Sequence, residues 1–387
     1  MAERNYAGWE KGKTLGEGGQ SQVFLARSPE RVSDLQRCLD IMRATSESNS
    51  WASFAEACST YARPDLESEL GALKVFKRRG GSSKPVEAGQ ESKRLHNEIE
   101  VLSQGHPGLP KLLASSESEF WVITEYFRQG SLEGQMSRYQ NKPLEALQAF
   151  RSLVVTAKIL HDQDIVHRDI KPHNVFVRKD DDLVLGDLGI VFIPDAEQRV
   201  TQPLERVGPW EYMPQWADTG ERVDDVKTST DVYMLGKLLW CMVSGKLRLV
   251  REDHREPKFD LTKMFPGSPQ MEYINLILDE TVVPREPRCL ASATELLTVV
   301  DEALDNMKRV GNRFLPNGEL SLTCLVCGKG TYKLRPGHLQ LPQLDPQHRT
   351  VSPALVRAYC CSVCTHYVYF APGYPEEGAK REWKPLS

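Results

Sequence analysis

The chain has 387 residues, 40% hydrophobic and 26% charged, with a formal net charge of −4. That length accommodates about two or three domains and at least one sizeable core, with the composition of a globular protein. The slightly acidic balance argues against nucleic-acid binding by the whole surface, no apolar run reaches bilayer length, and polar Met1–Leu15 lacks a signal-peptide core.

In chain order, residues 12–26 alternate around Gly12, Gly16, Gly18 and Gly19 before Val23-Phe24-Leu25-Ala26, which predicts strand, tight turn and strand. Over 31–63, Val32, Leu35, Leu39 and Met42 recur at helical spacing. Ser33-Asp34 would cap this helix, Ser46–Ser50 interrupt the pattern, and Pro64 stops it. Residues 70–77 read as a strand, Gly80–Pro85 as a loop, and Glu91–Ser103 as a helix with Leu95, Ile99 and Leu102 on one face. Phe120–Tyr126 is a buried strand by its aromatic and β-branched content. From about residue 143 helices take over: Leu144–Asp162, one within Asp224–Met242, Met271–Leu278 and Ala291–Met307. Strands first and helices after predict an α+β chain with two lobes. Gly311, Asn312, Pro316, Asn317 and Gly318 mark a linker, followed by short strand-like pieces. The tail from Ala371 is rich in Pro, Gly and charge and is expected to be poorly ordered.

Five features carry chemistry. Glycines at 16, 18 and 19, between two strands, let backbone N–H groups approach phosphate oxygens; a plain turn has the same composition. Lys74, in Ala72-Leu73-Lys74, alternates inward on its strand and needs an anionic partner there; it could hold phosphates. Glu98, on the helical stretch, could be that partner. The string His167-Arg168-Asp169-Ile170-Lys171-Pro172-His173-Asn174 is the most informative. Asp169 can accept the proton of an attacking hydroxyl, Lys171 can neutralise a transferring phosphoryl, and the amide oxygen of Asn174 can ligate Mg²⁺. After the apolar Leu183-Val184-Leu185 comes Gly186-Asp187-Leu188-Gly189, where Asp187 would ligate Mg²⁺ bridging the phosphates, though a strand-end Asp-x-Gly alone is usually a turn.

All five in this order resemble the eukaryotic-like (Hanks-type) Ser/Thr protein kinase family over roughly residues 9–305. The resemblance implies the bilobal kinase fold and the cofactors ATP and Mg²⁺ (or Mn²⁺). It matches Gly16, Gly18 and Val23 to the glycine-rich loop, with Ser21 in place of the third glycine. It makes Ala72 and Lys74 part of the nucleotide site and Glu98 the helix partner. Thr124 falls at the gatekeeper, and Glu125-Tyr126-Phe127 at the hinge whose backbone holds adenine. Asp169 is then the catalytic base, Asn174 and Asp187 the metal ligands, and Lys171 the mark of a Ser/Thr enzyme. Arg168 resembles the arginine of kinases switched on by loop phosphorylation, and Thr201 is the one hydroxyl residue between Leu188 and Gly208. Asp231-Val232-Tyr233-Met234-Leu235-Gly236 resembles the buried helix that anchors the catalytic loop.

The sequence also departs from the family. Where the substrate-side motif has Thr and Glu, Gly208-Pro209-Trp210-Glu211-Tyr212-Met213-Pro214-Gln215 offers Pro209 and Gln215. An ion pair with Arg288 becomes at most an amide hydrogen bond. Residues 28–68 form an insertion between the second and third strands, read either as a docking element or as a cover for the sheet.

The cysteine count is nine, an odd number in a chain without a leader, which argues against a disulfide framework. Cys324-x-x-Cys327 and Cys361-x-x-Cys364 have the spacing of a tetrahedral Zn²⁺ site, with Cys360 able to replace Cys361. They resemble a zinc ribbon, with a structural zinc and no open coordination position. Tyr332, Tyr359, Tyr367 and Tyr369, with a basic surplus between Lys329 and Arg357, fit nucleic acid; protein docking or intramolecular regulation is favoured.

The expected organisation is a kinase domain over 9–308 (first lobe about 9–127, second about 128–308), a linker at 309–318, a zinc-ribbon-like β domain at 319–371 and a tail at 372–387. Ala2 excludes N-myristoylation and the C-terminus lacks a prenylation box, so a cytoplasmic protein without membrane attachment is expected. Its partners would be protein substrates that the sequence does not identify. Two other functions stay open: a nucleotide-binding scaffold acting through the insertion and ribbon, and a kinase of a non-protein substrate.

Overall fold

A computed structural model describes residues 6–18, 21–48, 51–61, 65–77, 85–179, 182–188, 211–218, 227–268, 270–310, 320–323, 331–334, 339–344, 350–361 and 367–370. The chain forms two compact units, one of residues 1–254 and 277–301, the other of 255–276 and 302–387.

The first unit begins with a five-stranded antiparallel sheet of order β1-β2-β3-β5-β4: β1 (Glu10–Glu17), β2 (Ser21–Arg27), β3 (Leu70–Phe76), β4 (Leu112–Ser116) and β5 (Trp121–Glu125). Period-two alternation sorts β3 into two faces. Leu73 is fully buried in a cluster with Phe24, Ala26, Trp121 and Ile123, while Ala72 and Lys74 lie on the opposite face. Between β2 and β3 the insertion folds into two helices, α1 (Pro29–Ser48) and α2 (Trp51–Tyr61). Asp65 closes it: its carboxylate accepts from Arg27 on β2 (3.0 Å) and from buried Arg31 on α1 (2.8 Å). Helix α3 (Pro85–Ser103) follows, its buried face made by Leu95, Glu98, Val101 and Leu102. It starts earlier than the predicted Glu91, because Pro85 is suited to a first helical turn.

Helices dominate beyond residue 143: α4 (Pro143–His161), α5 (Thr228–Ser244), α6 (Leu261–Met264), α7 (Met271–Thr281) and α8 (Ala293–Val310). An antiparallel sheet followed by helices is the expected bilobal arrangement. Helix α5 is buried from Ser229 through Ser244 and ends on Gly245 at φ 72°, the left-handed cap that lacks a Cβ penalty. The short hairpin β6 (Val175–Val177) and β7 (Leu183–Leu185) carries Asn174 and Asp187 at its ends. None of the described helices is long and apolar enough to cross a membrane.

The second unit contains a sheet of order β10-β11-β9-β8, with β12 paired to β11: β8 (Leu320–Thr323), β9 (Thr331–Leu334), β10 (Leu339–Leu344), β11 (Thr350–Cys361) and β12 (Tyr367–Phe370). Cys361 ends β11 opposite Tyr332, and Cys360 is buried. Cys324, Cys327 and Cys364 lie outside the described residues, and no group of His, Cys, Asp or Glu among the described residues is arranged to hold a metal.

Candidate active site

The site is built from the central strand β3, α3, the loop leading to β6 and the residues that follow β7. Lys74 Nζ donates to both carboxylate oxygens of Glu98 (3.1 and 2.9 Å) and to Asp187 Oδ1 (2.8 Å). An ammonium between two carboxylates is held protonated: the attraction of Asp187 and Glu98 outweighs burial and raises the Lys74 pKa. Lys74 in turn is the main reason the Asp187 carboxyl is lowered to about 2. Asp187 sits at φ 59°, in the left-handed region, at the end of the buried strand β7.

Asp169 is fixed from two sides. Lys171 Nζ donates to both of its carboxylate oxygens at 2.8 Å, and Asn174 Nδ2 donates to Oδ2 (2.6 Å) and to the backbone oxygen (2.9 Å). Burial nevertheless lifts the Asp169 carboxyl above its ordinary value against the pull of Lys171. The Asn174 amide nitrogen is committed to Asp169, so Oδ1 is the atom left for a cation. A carboxylate (Asp187) and an amide oxygen (Asn174) at the two ends of one hairpin make a hard-oxygen donor set suited to Mg²⁺.

Beneath this loop lies Asp231, on α5 and fully buried. It accepts the backbone N–H of His167 (2.7 Å) and of Arg168 (2.8 Å), and lies 3.1 Å from His161 Nε2. The Ala293 N–H donates to His161 Nδ1, so the ring proton is on Nε2 and points at Asp231. Burial alone would raise the Asp231 pKa; the His161 bond, nearby His167 and the Arg168 N–H outweigh it and hold the carboxyl down. His167 links the two metal-facing segments: its Nδ1 accepts the Asp169 N–H (3.3 Å), and Nε2 donates to Gly186 O (3.1 Å). Arg168 is drawn into φ 70° by this arrangement.

At the hinge, the Glu125 N–H is bonded to Lys111 O (2.9 Å) and its carboxylate to Arg178. The Phe127 N–H has no partner among the described residues, which suits it to an adenine acceptor; its ring stacks on Phe176 at 5.0 Å. Thr124 and Val122 flank Ala72 and Lys74 across β3 and β5, and Val23 pairs with Lys74 from β2. Gly16 pairs with Val23, and a Cβ at Gly16 would meet nothing within 4 Å, leaving an open cradle. Gly19, Gly189, Thr201 and Gly208-Pro209-Trp210 lie outside the described residues.

One expectation is corrected. Gln215 and Arg288 are both exposed and form no bond with one another, so not even an amide contact replaces the family's ion pair. Sequence reasoning also missed His161 and Arg178. A histidine ending an apolar helix gave no signal that it faces an aspartate 70 positions on. Arg178, which gathers Glu125, Asp182 and Pro107 O, looked like a plain hairpin residue.

Sequence comparison places the chain among known proteins. The family described as protein kinase domain matches residues 58–310, beginning after β1 and β2. The Serine/threonine-protein kinase ssp1 of Schizosaccharomyces pombe is 26% identical over 201 residues, covering 48% of this chain and 30% of that protein. The Serine/threonine-protein kinase pkn2 of Myxococcus xanthus is 30% identical over 164 residues, 40% of this chain and 19% of that protein. The Activin receptor type-1-like protein of Mus musculus is 26% identical over 239 residues, 57% of this chain and 45% of that protein. The chain therefore spans less than half the length of each of these relatives. With the match extending over most of the chain and the charged constellation assembled within one unit, the chain belongs to the protein kinase domain family.

Proposed function

We propose that this protein transfers the γ-phosphoryl group of ATP to serine or threonine hydroxyls of protein substrates. The observation that carries the reading is Lys74, bonded at once to Glu98 and to Asp187, residues 24 and 113 positions away. An ammonium so held is pre-aimed at phosphate oxygens, and phosphoryl transfer relies mainly on positioning and electrostatics. Asp169, its pKa lifted by burial, accepts the proton of the attacking hydroxyl. Lys171 neutralises charge that develops on the transferring group. Asp187 and Asn174 would hold Mg²⁺, which when bound neutralises and orients the phosphates. Lysine at 171 supports Ser/Thr acceptors.

Thr201 is the proposed activating phosphosite. Buried Arg168 makes no ion pair within bonding distance among the described residues; burial, with Arg94 nearby, lowers its pKa against the attraction of Asp231, and a phosphate on the following loop would supply an anion for it.

The test uses γ-labelled ATP and Mg²⁺ with purified protein and Asp187→Ala, followed by phosphosite mapping. Label on wild type alone supports the reading, and a site at Thr201 supports loop activation. Measurable ATP binding with no label on any protein acceptor favours the scaffold reading.

For the C-terminal unit we infer a structural zinc on Cys324, Cys327, Cys361 and Cys364. The register supports it: Thr323 pairs with Thr331, the next residue Tyr332 pairs with Cys361, and Cys360 pairs with Tyr367. The strands that lead into the two CxxC motifs thus end side by side. Protein docking is the proposed role. Elemental analysis finding one equivalent of zinc, lost in Cys327→Ser, supports this; metal-free protein with unchanged secondary structure refutes it.

A further inference from the structure

Helix α5 carries a second buried charge that the proposed mechanism does not use. Lys237 is 2% exposed, and no carboxylate lies within ion-pairing distance of it among the described residues. Its Nζ instead donates to two backbone oxygens, Glu211 O at 2.9 Å and Leu249 O at 3.1 Å, and lies 5.3 Å from the ring centre of Tyr233 on the same helix. An ammonium satisfied only by carbonyls is an expensive thing to bury, and burial here lowers its pKa to about 8. What it holds should account for its presence.

The groups it holds belong to one seam. Glu211 begins the described stretch that follows the segment leading away from Asp187. The Glu211 carboxylate pairs with Arg248, and the buried Tyr212 hydroxyl donates to Leu247 O beside Cys241. Three successive residues, Leu247, Arg248 and Leu249, are therefore stitched to Glu211 and Tyr212, with Lys237 at the centre. The same helix grips the catalytic loop six positions earlier, but with opposite polarity: Asp231 accepts two backbone N–H groups there, and Lys237 donates to two backbone oxygens here. The chain from Asp169 and Asp187 to Glu211 is thus tied to α5 at both ends. Gln215 and Arg288 make no bond with one another, and further along this stretch the contact with α5 is apolar, the Trp216 ring set edge-on to Tyr233 at 5.1 Å.

We infer that Lys237 is a positioning residue for protein acceptors: it fixes residues 211–218 to α5 in place of the missing Gln215–Arg288 contact. This rests on the kinase reading for its consequence, but not for the anchoring itself. The segment bordering the acceptor should therefore loosen without Lys237, while the nucleotide site around Lys74 stays as it is.

The experiment compares wild type, Lys237→Met, Lys237→Arg and Tyr212→Phe in the full chain. Hydrogen–deuterium exchange is read on peptides covering 211–218 and, as internal control, 165–177. Lys237→Met should speed exchange in 211–218 by about tenfold or more, the loss of two charge-assisted bonds, and leave 165–177 unchanged. With casein as a generic acceptor, KM for the protein should rise about five- to thirtyfold while KM for ATP holds. Lys237→Arg should restore both. Tyr212→Phe, which deletes one hydroxyl and leaves the ammonium, should give a smaller change of the same kind and serves if the methionine variant does not fold. Unchanged exchange in 211–218, or a rise in KM for ATP equal to that for casein, overturns the inference. If the wild type transfers no phosphoryl, the proposed function falls, and the exchange result still decides whether Lys237 is the anchor.

Discussion

The two halves of the active site are held in different ways. The base half, Asp169 with Lys171 and Asn174, rests on buried Asp231, whose oxygens are occupied by backbone N–H groups and a histidine. These bonds have no competitor when substrate arrives. The phosphate half, Lys74 with Glu98 and Asp187, is tied by ionic side-chain contacts alone, and the Asp187 side chain is 47% exposed. A cation entering there competes with Lys74 for Asp187. One half is pre-organised and the other is poised to rearrange. Removing the buried support of the first half, Asp231, should cost structure and rate together, while changing the side chains that face the substrate in either half should cost rate with the fold largely intact.

The largest effect should come from removing the base. Asp169→Ala should reduce phosphoryl transfer by about 10²–10⁴-fold in a single-turnover assay. Its thermal midpoint should stay near that of wild type, because Asp231 still holds the backbone of the loop. Asp231→Asn inverts that pattern. An amide places an NH₂ group against N–H donors and leaves His161 Nε2–H without its anion. Breaking a buried charge network of this kind costs about 3–5 kcal/mol. The denaturation midpoint should fall clearly, and the turnover number with it. A variant that keeps full stability would show that the loop is held by contacts other than Asp231.

How far these halves could be read in the sequence differs for a physical reason. Lys74, Glu98, Asp169, Asn174 and Asp187 were legible because phosphoryl chemistry demands those residue types in fixed order and spacing. Strands β2, β3 and β5 and helices α4, α5 and α7 were legible from periodicity, since each buries one face or lies wholly in the core. What the sequence hid was long-range pairing. Nothing in the composition of α4 says that His161 reaches Asp231, or that Arg178 reaches Glu125. Nothing in the pattern of Asp224–Met242 singled out Lys237, whose ammonium is spent on carbonyls from two other segments. The β10–β11 pair was indistinct because Pro342 and Pro353, opposite each other, break the usual strand pattern.

Glu98→Gln tests the poised half more gently. Lys74 keeps Asp187 and gains an amide in place of a carboxylate, so transfer should fall by about tenfold, equivalent to ~1.4 kcal/mol, with an unchanged melting curve. A loss as large as that in Asp169→Ala would mean that Glu98 also fixes the base half.

The smallest effect should appear in acid. Asp187 titrates at about 2 in the folded chain, and an unfolded aspartate near ~3.9. A carboxyl lowered on folding binds fewer protons in the native state than in the unfolded one, so its contribution to stability is complete above the unfolded value and fades as pH falls toward 2. Asp187→Asn lacks that contribution at every pH. Wild type should therefore be the more stable of the two in urea at pH 6, and the gap between their midpoints should narrow by pH 3. Half-exposure keeps the gap small, because water screens the pair with Lys74. A gap that stays constant between the two pH values would mean that Lys74 does not hold Asp187 in the nucleotide-free protein, and that the phosphate half is then looser still, relative to the base half, before substrate binds.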